Sequence, residues 1–218
     1  MKKKTIDKKE LMEHYSDYLL TEGKPPVNVY QFTKKLGISE DHFYRYFTSF
    51  ESLESEYLVY FFQQSLELVI QTDGYDAMSP KEKLLHFYFV FFENLTLNRS
   101  LVLHLLRAPL TNKLQQLRPL HRQFNTYIQS VGFKEQGFIA NAPGKLKQVS
   151  EKTRTELIWA HFLSVLQFWK NDRSPGFEKT DMYIEKSIEL GFEIINTAIL
   201  GKFFDLGKFL WSEKVPAI

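Results

Sequence analysis

Residues 27–53 read VNVYQFTKKLGISEDHFYRYFTSFESL, and this stretch predicts two short helices joined by a tight turn. Gly37 can adopt the positive φ that ends one helix, and Ser39 can cap the next helix by accepting a backbone N–H. Apolar residues recur at helical spacing on both sides of the turn, namely Val29, Phe32, Leu36, Phe43 and Phe47. The pattern indicates a helix-turn-helix, whose second helix can lie in the major groove of DNA.

This stretch and its flanks resemble the head of the tetracycline-repressor (TetR) family of transcriptional regulators. The resemblance rests on Gly23, Val29, Gly37-Ile38-Ser39, Phe43-Tyr44, Phe47, Ser49, Glu51 and Leu53. It implies an all-α, TetR-like fold with a three-helix head at residues 1–50 and a helical effector-binding and dimerisation domain at residues 51–218. It also implies a homodimer that binds double-stranded operator DNA and is released or retained by a mostly apolar small molecule or lipid.

Basic and polar side chains of the head are the candidates for contacts with DNA, because phosphates are neutralised by Lys and Arg and base edges are recognised by polar groups. On the second helix of the motif these are His42, Tyr44, Arg45 and Tyr46. The full set of predicted DNA-binding residues is Lys3, Lys4, Asn28, Tyr30, Lys34, Lys35, His42, Tyr44, Arg45, Tyr46 and Thr48.

Three features of the head depart from a strong DNA binder. Members of the family usually carry a lysine at the position of Phe50, where it meets a phosphate. Glu40 and Asp41 open the recognition helix, where they complement the helix dipole but are repelled by phosphates. The head also nets only +2, from nine basic and seven acidic residues in 1–48. A second function therefore stays open, a TetR-fold lipid-binding or accessory protein whose head does not bind DNA.

Composition excludes several classes of site and function. Cysteine is absent, so disulfides, thiolate metal sites and cysteine nucleophiles are ruled out. No signal peptide and no apolar run of membrane-spanning length is visible, and we expect a cytoplasmic protein without stable membrane insertion. Catalytic motifs and a complete metal-ligand set are missing as well, so we predict no enzyme activity, no cofactor and no metal site.

Charge is unevenly distributed along the body of the chain. Residues 49–98 hold two basic and eight acidic residues, whereas residues 99–154 hold ten basic and two acidic residues. The basic segment could attract an anionic ligand or an anionic membrane surface. Pairing with the acidic segment inside a helical bundle explains the pattern as well.

The body is predicted to be helical throughout. Ser79-Pro80-Lys81-Glu82 forms a capping box with proline at the first helical position, so the aromatic run after it begins a helix. Residues 132–147 hold three glycines and a proline and are predicted to form a loop that could border a pocket. Helices are predicted at 50–71, 80–97, 99–107, 112–131, 151–171 and 180–200.

Aromatic residues are concentrated in the body, and twenty phenylalanines occur in the chain. A wall of aromatic side chains with a few His and Arg residues suits an apolar ligand with a polar end. The alternative is solid core, because aromatic stripes at helical spacing most often pack against one another. The predicted ligand-pocket residues are His86, Phe87, Phe91, His104, Arg107, Tyr127, Trp159 and Phe162.

The last two strong helices resemble an oligomerisation element. Two such helices from each subunit would form a four-helix bundle across a two-fold axis, as in TetR-like dimers. The alternative is that this stripe closes the core of the monomer itself. The predicted interface residues are Leu166, Ile184, Ser187, Ile188, Gly191 and Ile195. Ser174-Pro-Gly-Phe177 also resembles the C-terminal region of one TetR-like subgroup and, more weakly, TetR-fold lipid-binding proteins of ubiquinone synthesis.

Overall fold

The described part of the chain contains helices and connecting loops but no strand, which confirms the predicted all-α fold. A computed structural model describes residues 6–133 and 144–196, and these residues form nine α-helices and no strand. None of the described helices combines the length and hydropathy that a membrane span needs. The helices are α1 (Lys8–Glu22), α2 (Val29–Leu36), α3 (Glu40–Tyr44), α4 (Phe50–Ile70), α5 (Pro80–Leu97), α6 (Arg99–Leu105), α7 (Arg118–Ser130), α8 (Gly144–Asn171) and α9 (Glu178–Asn196).

The turn between α2 and α3 confirms the predicted role of glycine. Gly37 has a φ of 71°, and its backbone N–H closes the last turn of α2. The predicted side-chain cap at Ser39 is wrong, because the Ser39 hydroxyl accepts no N–H at the start of α3. Only the backbone carbonyl of Ser39 is used, accepting from the N–H of His42 at 3.1 Å. With five residues, α3 is held in place by packing rather than by a cap.

Aromatic rings form the core of the head. Phe43 is fully buried, and its ring centroid lies 6.3 Å from that of Phe32 and 5.7 Å from that of Phe47. Phe50 completes the cluster, with ring centroids 5.3, 5.6 and 5.5 Å from Tyr15, Phe32 and Phe43. Phe50 is therefore a packing residue that connects the first turn of α4 to α1, α2 and α3.

Helix boundaries in the body follow local signals where these are strong. The predicted capping box is confirmed, since Glu82 N–H donates to Ser79 Oγ at 3.3 Å and Ser79 N–H donates to Glu82 Oε2 at 2.7 Å. The helix predicted at 112–131 begins only at Arg118, because Pro119 suits the first turn of a helix. The helix predicted at 99–107 ends at Leu105.

The loop predicted at 132–147 is wrong at its C-terminal end, because α8 begins at Gly144 and not near residue 151. No side-chain signal marks this start, since the helix opens on a glycine that follows a proline. The helix predicted at 180–200 begins at Glu178. Residues 134–143 and 197–200 of these predictions lie outside the described residues.

Two compact units divide the chain. The head unit contains residues up to 71 together with 90–124, so it includes α1–α4, the end of α5, α6 and the start of α7. The body unit contains residues 72–89 and those from 125 onward, which include α8 and α9.

Candidate functional site

The exposed surface of α2, α3 and the turn after α3 carries most of the residues predicted to bind DNA. The prediction that Arg45 and Tyr46 lie on the second helix of the motif is wrong, because α3 ends at Tyr44 and both residues follow it. Tyr30, Tyr44 and Tyr46 are 56%, 51% and 40% exposed, which is unusual for large aromatic side chains. The other exposed members of the set are Asn28, Lys34, Lys35, Arg45 and Thr48. Lys3 and Lys4 lie outside the described residues.

The cations on this surface are held by weak, exchangeable contacts. Arg45 pairs with Asp41 at 3.0 Å, and both side chains are about two-thirds exposed. Lys35 Nζ lies 3.6 Å from the Glu22 carboxylate and 4.8 Å from the Tyr18 ring centroid. Exposed pairs of this kind contribute about 0–1 kcal/mol each, so a phosphate can replace the protein partner at little cost.

Two predicted DNA contacts have partners within the head. His42 is half-buried, and its Nε2 forms a short contact with the backbone carbonyl of Ile6. Asn28 caps α2, since its side-chain oxygen accepts the N–H of Gln31 at 2.8 Å. The structure thus gives His42 and Asn28 roles in holding α3 and α2 in place.

A buried charge cluster in the head unit was not predicted from the sequence. Glu54 on α4 is only 4% exposed, and it accepts a hydrogen bond from the Tyr15 hydroxyl at 2.8 Å and one from the Gln116 amide at 3.0 Å. Arg107 lies 3.4 Å and the buried Lys113 3.8 Å from the same carboxylate. We call these five residues the Glu54 cluster.

The cluster connects elements that are far apart in the chain. Tyr15 lies on α1, Glu54 on α4, and the two cations and the amide follow α6. The pKa of Tyr15 is raised well above its ordinary value, mainly by burial and next by the negative charge of Glu54. The Tyr15 hydroxyl therefore stays protonated and donates its hydrogen bond to Glu54. Since Glu54 belongs to the acidic segment and both cations to the basic segment, part of the predicted segment pairing is present here.

The predicted ligand-pocket residues fall into two groups. Phe91, His104 and Arg107 belong to the head unit, where Arg107 is exposed and paired with Glu54. The other five belong to the body unit and are His86, Phe87, Tyr127, Trp159 and Phe162. The sequence could not separate the two groups, because helical periodicity does not say which helices pack together.

Within the body unit, aromatic side chains from α5, α7 and α8 are packed closely. Phe87 and Tyr127 have ring centroids 4.8 Å apart, and Trp159 stacks on Phe162 at 5.3 Å. His86 lies apart from these rings and bonds the Thr72 hydroxyl at 3.0 Å. Close ring packing of this kind is what the solid-core alternative predicts, and the predicted pocket itself stays a prediction.

His161 on α8 lies at the centre of a hydrogen-bonded chain in the body unit. Its Nδ1 lies 3.1 Å from the Tyr88 hydroxyl, and its Nε2 lies 2.8 Å from Ser187 Oγ. Because Ser187 donates its hydroxyl hydrogen to the carbonyl of Tyr183, Nε2 must be the donor and Nδ1 the acceptor. Burial lowers the pKa of His161 to about 4, so the ring is neutral near pH 7.

The residues predicted to form the dimer interface largely face the core of their own subunit. Leu166, Ile184 and Ile188 are buried. Ser187 is engaged by His161, and Gly191 is half-buried. The side chain of Ile195 lies outside the described residues. The buried members of the stripe therefore pack within the body unit, because apolar periodicity marks a buried face but not its partner, and the predicted dimer interface stays a prediction.

A different face of α8 is exposed and carries no charge between Leu157 and Asn171, and the exposed Glu156 lies one turn before Ala160 at its edge. From Leu157 to Asn171 its exposed residues are Leu157, Ala160, Ser164, Gln167, Phe168 and Asn171. Tyr183 of α9 borders this face, with its ring 4.6 Å from that of Phe168 and its hydroxyl 3.1 Å from Ser164. An open groove of about 760 Å³ continues from this face to the turn that follows α8.

The turn after α8, at Ser174-Pro-Gly-Phe177, is built around one carboxylate. Asp172 accepts the backbone N–H and the hydroxyl of Ser174 at 2.8 and 2.7 Å, and those of Thr180 at 2.9 and 2.7 Å. Burial by itself raises the pKa of Asp172, but these four hydrogen bonds together lower it to about 2. The carboxylate thus stays ionised and fixes the angle between α8 and α9.

Comparison with known families identifies the body of the chain. Residues 83–210 match the model of the tetracyclin repressor-like C-terminal domain, which covers more than half of the sequence. No curated protein is significantly similar to the chain. The family match and the helix-turn-helix at α2 and α3 come from different parts of the sequence and agree with each other. The chain belongs to the tetracycline-repressor (TetR) family of transcriptional regulators.

Proposed function

We propose that the protein is a one-component regulator that binds operator DNA as a dimer through residues 1–50 and responds to a mostly apolar effector bound in the body. The observation that carries the DNA proposal is the exposed surface of α2, α3 and the turn after α3. This surface presents three tyrosines and three cations, namely Tyr30, Tyr44, Tyr46, Lys34, Lys35 and Arg45. Each cation contacts a protein side chain that is at least partly exposed. Tyrosine and arginine can contact base edges and phosphates, and the lysines can neutralise phosphates.

Binding to a random-sequence duplex tests this proposal. We expect measurable affinity at low salt that falls steeply as salt rises, because cations of the protein displace counterions from the phosphates. Changing Lys34 and Lys35 together to Gln should reduce the slope of log K against log salt by about 2, since each lysine that neutralises a phosphate adds about 1 to that slope. Fluorescence anisotropy with a labelled duplex measures both quantities.

The matched control is Lys152→Gln, which removes an exposed cation from the body unit and should leave the slope unchanged. Absence of binding by the unaltered protein at low salt would contradict the regulator proposal. That result would favour the alternative, a lipid-binding or accessory protein that keeps the TetR fold.

The uncharged face of α8 is the surface we propose for the dimer. An interface core is depleted in charged residues, and Leu157 and Phe168 on this face are 60% and 37% exposed in the single chain. Ala160 and Ser164 between them are small, so a second helix can approach closely. A two-fold axis across α8 places each copy of this face against the other.

Ala160→Arg should separate the dimer into monomers. The change places two arginines near each other across the two-fold axis, and unpaired charge of this kind should weaken association by at least about a hundredfold. Light scattering over a range of concentrations measures the effect. Gln129→Arg adds the same side chain to an exposed position on α7 and serves as the control. An intact dimer in Ala160→Arg would place the interface on another surface.

A further inference from the structure

Arg154 on α8 is a half-buried cation that is held in position without a hydrogen-bond acceptor at its Nε. Its guanidinium carbon lies 5.2 Å from the ring centroid of Phe133, and that ring stacks on Phe192 at 5.7 Å with an interplanar angle of 27°. The Nε atom is shielded from solvent and has no partner among the residues that the structure describes. The guanidinium is thus packed on an aromatic platform while its inner N–H is unused.

An unused N–H on a shielded cation is costly, because the group has given up hydrogen bonds to water and gained none from the protein. Other cations of the basic 99–154 segment avoid this cost, since Arg107 and Lys113 share the carboxylate of Glu54. No described carboxylate forms an ion pair with Arg154 in the same way. An acceptor supplied by a bound ligand removes this cost.

We propose that Arg154 binds the anionic group of an amphiphilic ligand, a carboxylate or a phosphate monoester, whose apolar part lies against Phe133 and Phe192. Arginine suits this task because its planar fork donates two parallel hydrogen bonds to a carboxylate or phosphate. Stacking on Phe133 fixes the plane of the fork in advance, which reduces the entropy cost of binding.

The aromatic neighbours favour an amphiphile over a small inorganic anion. Phe133 and Phe192 are both half-buried, so each keeps apolar surface that a ligand can cover. Ile158 and Trp159 follow Arg154 by about one helical turn, and both are buried. We identify this ligand with the effector of the proposed function, and that identification rests on the proposed function. Binding of the ligand at Arg154 does not, because it requires no DNA.

Three probes with the same ten-carbon chain test the proposal, namely decanoate, decyl phosphate and decanol. Calorimetric titration of the purified full-length protein should show binding of at least one anionic probe and binding of decanol that is about 10- to 100-fold weaker, since decanol cannot form a charge-assisted pair. The ratio between decanoate and decyl phosphate identifies the preferred anionic group.

Arg154→Met separates a binding role from a structural role. It should remove the preference for the anionic probe over decanol, while the ligand-free protein should unfold at the same temperature or a higher one because an unsatisfied buried group is gone. Lys152→Gln removes a nearby exposed cation and should leave the binding of all three probes unchanged.

Any of three results would overturn the proposal. The first is equal affinity for decanol and the anionic probes, and the second is no binding of any probe. The third is a clear loss of stability in ligand-free Arg154→Met with an unchanged anion preference, which would make Arg154 a structural residue. Because every measurement is made without DNA, failure of this proposal is distinguishable from failure of the DNA-binding proposal.

Discussion

Glu54→Leu is expected to lower the free energy of unfolding by about 3–5 kcal/mol, the range for breaking a buried ion pair from one side. Lys113 is only 8% exposed, and without Glu54 its buried charge loses its carboxylate neighbour and keeps neutral acceptors such as the Leu105 carbonyl and the Gln116 amide oxygen. The Tyr15 hydroxyl and the Gln116 amide lose an acceptor at the same time. Urea denaturation followed by circular dichroism measures the change.

The control for this substitution is Glu67→Leu, which changes an exposed carboxylate on the same helix and should alter stability by less than about 0.5 kcal/mol. Adding Lys113→Met to Glu54→Leu should recover part of the stability, because both buried charges are then absent and the remaining cation, Arg107, is about half exposed. A double variant no more stable than Glu54→Leu alone would mean that the buried lysine is not the cause. Faster amide exchange in α1 is expected as well, since Tyr15 connects α1 to the cluster.

Phe50→Lys is expected to destabilise the head by about 2–4 kcal/mol, because a lysine cannot replace the packing of the Phe50 ring against Tyr15, Phe32 and Phe43. The family resemblance by itself predicts only a new phosphate contact at this position and stronger nonspecific DNA binding. The structure predicts that packing dominates. Thermal unfolding of Phe50→Lys beside Phe50→Leu, which keeps an apolar side chain, measures the cost of the charge.

Thr48→Lys separates the added charge of Phe50→Lys from the loss of ring packing in Phe50→Lys. Thr48 is exposed and lies two residues before Phe50, so a lysine there adds the same charge without removing a core ring. We expect stronger nonspecific DNA binding with a steeper salt dependence and little change in stability. Full stability of Phe50→Lys would contradict the packing role of the ring.

The sequence determined the features that depend on neighbours in the chain. The positive φ of Gly37 and the capping box of Ser79 and Glu82 are settled within four residues, and the structure confirms both. The exposure of the tyrosines and cations on α2 and α3 was also predictable, because the apolar seam of these helices defines which side faces solvent, but the end of α3 before Arg45 and Tyr46 was not.

Tertiary structure decided every feature that depends on which surfaces meet. Periodicity showed that Ile184 and Ile188 lie on one apolar stripe, but only the structure showed that both side chains are buried within the single chain. In the sequence, Glu54 does not differ from many other carboxylates on predicted helices. In the structure, α1 and the segment after α6 place a tyrosine, an amide and two cations around it. The physical reason is that local patterns fix the backbone and the buried face of a helix, whereas long-range contacts choose the partner of that face.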